Sequence, residues 1–212
     1  MELWHGSQKI IETPQLGLGK VHNDYGQGFY CTESLDLARE WACSRDADGF
    51  ANRHELDMAD LKELDLLSPQ YSVLHWIALL VEHRSFRKDT AIAVGACEYL
   101  HDHFLPDTST CDVIRGWRAD DSYFSYARAF VNNTITVDQL GRSMRLGNLG
   151  EQIVLKSARL RAFVLLDLNV RRKLCMVHCP RSEIKRQGRS IVSYLPKIRL
   201  REFVSSISFE RG

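Results

Sequence analysis

Apolar positions recur at helical spacing from Val73 to Val81 and again from Ile92 to Phe104, so both stretches predict helices. Cys111 to Arg118 follows a different rhythm. Val113, Arg115 and Trp117 alternate with Asp112, Ile114 and Gly116, the period-2 pattern of a strand. Near the start, the residues around Trp4 predict a short strand that delivers His5 at its end. Residues 14–28 carry Pro14, Gly17, Gly19, Gly26 and Gly28 and read as loop. Phe29 to Thr32 then leaves that loop as a short strand.

Polar residues mark the element ends. Ser34 is placed to cap a helix through about Ser44, with Leu37 and Trp41 four apart on one face. Asn52 to Leu67 predicts one or two strands around a polar turn. Asp120 or Asp121 caps a helix through Phe130, and Thr136 caps another that ends at Gly147. Ile153 to Lys156, Phe163 to Leu168 and Ser205 to Phe209 predict strands. No repeat and no low-complexity linker interrupts the 212 residues, which read as one α+β domain without a regular βαβ rhythm.

Composition narrows the class. No run of about 18 apolar residues occurs, so no membrane span is expected. No basic region followed by an apolar stretch opens the chain, so no secretory leader is expected. Cys31, Cys43, Cys97, Cys111, Cys175 and Cys179 are scattered and form no C-x-x-C pair, as expected of reduced thiols in a cytoplasmic protein. Cys175 and Cys179 flank His178, but no second pair completes a zinc site, so no metal is expected. Charge is unevenly spread. Residues 153–212 hold 14 Lys/Arg against 4 Asp/Glu, a balance of +10, and residues 1–152 hold 14 against 23, a balance of −9. The basic third, with Arg171-Arg172-Lys173 and Lys185-Arg186, suits phosphates or an acidic partner; a solvated basic face is the alternative.

Three short segments carry candidate chemistry: Leu3-Trp4-His5-Gly6-Ser7, Gly26-Gln27-Gly28-Phe29-Tyr30 with Trp41 eleven residues on, and Gly150-Glu151-Gln152-Ile153-Val154-Leu155. They supply an imidazole, two aromatic faces and a carboxylate. Cleaving the charged N-glycosidic bond of NAD needs such a set. The carboxamide must be held, the pyridinium clamped, and negative charge placed beside the ribose as it becomes oxocarbenium-like. Gly6 suits the first task through its bare backbone. Tyr30 and Trp41 suit the second through their ring faces. Glu151 suits the third, and His5 suits the ribose hydroxyls.

The first segment resembles the opening motif of ADP-ribosyltransferases of the poly-ADP-ribose-polymerase and diphtheria-toxin type. The second resembles their glycine-x-glycine-aromatic-tyrosine motif, and the third their strand carrying the catalytic glutamate before Ile-Val. Gly116-Trp117-Arg118-Ala119-Asp120-Asp121-Ser122-Tyr123-Phe124 resembles a block of a bacterial branch of that superfamily. The resemblance spans residues 2 to about 170. It implies a split two-sheet β-sandwich with flanking helices and a His5-Tyr30-Glu151 triad. It also implies an NAD site formed by His5, Gly6, Ser7, Tyr30, Trp41 and Arg118. For Arg118, pyrophosphate binding and a structural pairing with Asp120 or Asp121 both remain open. Ala38 stands where the polymerases often carry a carboxamide-binding serine, which gives Ser7 more weight. Leu149 replaces the Glu or Gln of the arginine-specific transferases, which argues against an arginine acceptor. The implied activity is transfer of a single ADP-ribose unit to a nucleic acid, RNA favoured, or to a protein. Stand-alone bacterial members resemble intracellular toxins of toxin–antitoxin or phage-defence systems, which implies a neutralising partner protein. NAD hydrolysis and a catalytically inert ADP-ribose- or partner-binding module are the alternatives. Gly26-x-Gly28 is no Rossmann fingerprint, because it lacks the third glycine and the long preceding strand.

Overall fold

A computed structural model describes residues 1–43, 48–119, 121–146 and 150–157. Ser44, Asp120, Gly147, Leu149, the strands expected at 163–168 and 205–209, Cys175, Cys179 and the basic clusters lie outside the described residues.

Among the described residues the chain is a mixed α+β structure with five helices and two small sheets. The elements run β1 (Glu2–Ser7), β2 (Phe29–Cys31), α1 (Leu35–Ala42), β3 (Phe50–Glu55), β4 (Glu63–Asp65), α2 (Val73–His83), α3 (Ala91–Phe104), β5 (Val113–Trp117), α4 (Asp121–Val131), α5 (Val137–Leu146) and β6 (Glu151–Leu155). The first sheet is the antiparallel pair β1-β3. The second has the order β2-β6-β5-β4, antiparallel except for the parallel pair β4-β5. That parallel pair requires a long crossover, which α2 and α3 supply. A bridge between Trp4 and Thr32 links β1 to the far edge of β2, so the two sheets meet there.

Two of the expected caps, Ser34 and Thr136, form as the sequence predicts. The Ser34 hydroxyl accepts from the Leu37 amide, and Thr136 and Gln139 close a reciprocal box at α5. Several boundaries shift: β3 begins at Phe50 rather than Asn52, α2 runs on to His83, and β5 is trimmed to Val113–Trp117. The third glycine-led segment becomes strand at Glu151, two residues before the expected Ile153. The reason is that both polar residues find partners within the fold: Gln152 in the core and Glu151 on a guanidinium.

The pleat sorts the second sheet into two faces. Tyr30, Ile114 and Val154 share one register row and join the larger core with Trp76, Ile77 and Leu80 of α2 and Leu140 of α5. Phe29, Cys31, Val113, Ile153 and Leu155 form a smaller core on the other face, shared with Leu3 of β1. α1 covers the first sheet through Ala38, which packs with Trp4 and Ala51. Val154 and Ile153 are buried on opposite faces of one strand, which explains the unbroken apolar run there. No helix among the described residues is long and apolar enough to cross a membrane.

Candidate functional site

His5 sits inside β1, opposite Asn52 of β3. Its ring stacks on Phe29 with centroids 4.2 Å apart, and Nδ1 lies 2.7 Å from the Tyr30 carbonyl oxygen. A carbonyl only accepts, so Nδ1 carries the proton. Burial lowers the His5 pKa, and the bond to Tyr30 opposes that only in part. The neutral ring then leaves Nε2 as an acceptor, the role a sugar hydroxyl requires. The first two motifs, 25 residues apart, are therefore joined directly.

Tyr30 faces the larger core. Its hydroxyl donates to the Gly26 carbonyl at 2.7 Å and accepts from the Tyr25 amide at 3.0 Å. Burial raises its pKa. Both hydrogen-bonding capacities of the phenol thus close the 25–30 turn, and its ring packs against the larger core.

Gly6 packs under α1. A Cβ there would lie 2.1 Å from the Ala38 carbonyl oxygen and 2.7 Å from the Ala42 nitrogen, so the close approach of helix to strand demands glycine. Trp41 lies at the same contact, because the same Cβ would stand 2.7 Å from the Trp41 Cβ. The Arg118 guanidinium sits 5.7 Å from the Trp41 ring centroid and pairs with Glu40 at 2.8 Å. Its partner is therefore an acid of α1. Ser7 donates to the Lys9 carbonyl and accepts from Asn52 at 3.2 Å, so its hydroxyl is engaged in shaping the turn after β1.

Glu151 opens β6 directly after Gly150, whose φ of 77° is left-handed backbone that favours glycine. It is half exposed, with Oε2 3.2 Å from Nη1 of Arg115. The same Nη1 reaches Glu33 at 2.8 Å, and the Arg115 Nε reaches Glu63 at 3.1 Å. Hydrogen bonding to Glu33 outweighs burial and pushes the guanidinium further toward its charged form. Glu151 shares the pleat parity of Ile153, so it belongs to the His5–Phe29 face, opposite Tyr30.

Sequence reasoning did not single out the group on the other face. Asp24, buried in the glycine loop, accepts from Arg84 at 2.7 Å, from the Ala119 amide at 2.9 Å and from Gln152 at 3.0 Å. Burial still raises its pKa against all three donors. The Trp117 carbonyl beside it accepts from Tyr25, Trp76 and Gln152. Trp117 is also the register partner of Glu151, so this buried network fixes the backbone on which Glu151 stands.

The structure thus joins His5 to the Tyr30 backbone, Gly6 to Trp41, and Trp41 to Arg118. Glu151 is tied to Arg115 rather than to either of the other two triad candidates. Arg115 was legible only as a charge within an apolar alternation. Among the described residues no group of three or more His, Cys, Asp or Glu side chains is placed to hold a metal.

No curated protein and no solved structure matches the chain. Residues 1–164 match the family described as "Protein of unknown function (DUF3990)", and the chain belongs to that family.

Proposed function

We propose that the chain is an NAD-dependent mono-ADP-ribosyltransferase with the split two-sheet fold of that superfamily. The observation that carries this reading is the bond from His5 to the Tyr30 carbonyl. It unites the two N-terminal motifs and leaves a neutral imidazole with a free acceptor. Trp41 and Arg118 gather on the adjacent α1 corner, over the strand that Gly6 lets α1 approach, and offer an indole face and a cation. These suit a pyridinium ring and a pyrophosphate. Glu151 supplies the charge that favours an oxocarbenium-like ribose as nicotinamide departs. The basic balance of residues 153–212 favours RNA as acceptor over protein. An intracellular toxin held in check by a partner protein is the matching physiological role.

The test is incubation of the purified chain with labelled NAD and RNA, DNA or a lysate. Label that survives protease but not nuclease identifies a nucleic-acid acceptor, and the reverse identifies a protein. Loss of NAD without any macromolecule identifies a glycohydrolase.

One observation favours a second reading, a binding module without catalysis. Tyr30 and Glu151 belong to opposite faces of the sheet, and Glu151 is ion-paired. Such a module keeps any cellular effect when Glu151 is changed to Gln, whereas a transferase loses it.

A further inference from the structure

We propose that Arg115 is a positioning residue that holds the Glu151 carboxylate for the reaction. This inference rests on the transferase reading. Arg115 stands in the middle of β5, on the register row of Ile153, with its side chain only 18% exposed. Its guanidinium gathers Glu33 from the bend after β2, Glu63 from β4 and Glu151 from the head of β6. Each carboxylate takes one N–H contact, and the planar guanidinium fixes the direction of these donors as well as supplying charge. Glu151 itself is half exposed on a terminal strand residue, and two further carboxylates lie on the same cation. Without Arg115, Glu33 and Glu63 would repel Glu151 and swing it outward. With it, three carboxylates around one cation still leave a negative corner, so orientation is gained while the field that favours a cationic ribose persists. Arg115 touches no reacting atom in this scheme and acts only through Glu151.

The experiment measures kcat and KM for NAD in the full chain, using labelled NAD, for wild type, Arg115→Gln, Arg115→Lys, Glu151→Gln and the Arg115→Gln/Glu151→Gln double variant. Circular dichroism checks that each is folded. Arg115→Gln should lower kcat ~10-fold with KM changed less than ~2-fold, as expected for a contact that matters only in the transition state. On the Glu151→Gln background the same change should cost less than ~2-fold, since residues acting through one another are not additive. Arg115→Lys keeps a cation in the strand and covers the case in which the Gln variant does not fold. It should lose ~3-fold in kcat, because a point charge cannot bridge two carboxylates as a fork does. Equal losses on both backgrounds, or kcat unchanged in folded Arg115 variants, overturn the inference alone. An inactive wild type overturns the transferase reading, and the inference with it.

Discussion

Glu151 and Gln152 are neighbours in sequence and opposites in environment. Gln152 points into a buried network in which Asp24, the Ala119 amide and the Trp117 carbonyl satisfy one another. Glu151, one pleat away, stands half exposed on a cation shared with two other acids. The buried flank has polar groups matched to partners, so it fixes backbone and has little to offer a ligand. The rim flank has more negative charge than its cation neutralises, and chemistry that develops positive charge belongs there. A strand that carries both on consecutive residues positions its reactive group by anchoring the residue beside it.

The largest contrast should come from cutting the buried flank. Asp24→Ala removes the anion beneath Arg84, leaves the Ala119 amide unpaired and takes one of two acceptors from Gln152, which should cost about 3 kcal/mol. Urea midpoints at neutral pH read this directly. A loss below about 1 kcal/mol would mean that the network is replaced by water and does not anchor the strand.

Acid should act on the rim side of the sheet at comparable size. Phe29 stacks with His5 and meets His54 edge-on at 5.5 Å. Burial first, and the neighbouring His5 second, push the His54 pKa down to about 4. The unfolded chain therefore binds a proton near pH 6.5 that the folded chain refuses, so stability falls as pH drops from about 6.5 toward 4, by roughly 3 kcal/mol when complete. Urea unfolding of wild type and His54→Gln across that window checks it. The variant should show a shallower slope, and a slope equal to that of wild type would remove His54 as the cause.

The smallest effect belongs to the exposed acids. Glu63→Gln touches a pair whose members are 18% and 32% exposed, and its stability should change by less than about 1 kcal/mol. A loss as large as that of Asp24→Ala would erase the distinction between the two flanks.

How much of this was legible in the sequence follows from where partners lie along the chain. The periodicity of Val73–Val81 and the caps at Ser34 and Thr136 are local, and each appears in the fold with its expected role. The alternation of β5 and the loop before Phe29 are local too. Asp24 was not legible, because its partners stand 60, 95 and 128 residues away and a loop acid looks like any solvated acid. The first two residues of β6 were legible only through the resemblance, because strand periodicity reads apolar residues, whereas here a buried amide and a paired carboxylate occupy those positions. The motifs around His5 and Tyr30 were legible, but the geometry of their contact was not. The bond runs to the tyrosine's carbonyl, while its hydroxyl closes the preceding turn.

Turnover of labelled NAD by the wild-type chain and by folded Glu151→Gln is the measurement closest to the centre of this account. Loss of the carboxylate should lower the rate ~10²-fold or more, and any toxicity on expression should disappear with it. Equal turnover in the two proteins, or a cellular effect that persists in the variant, would contradict it.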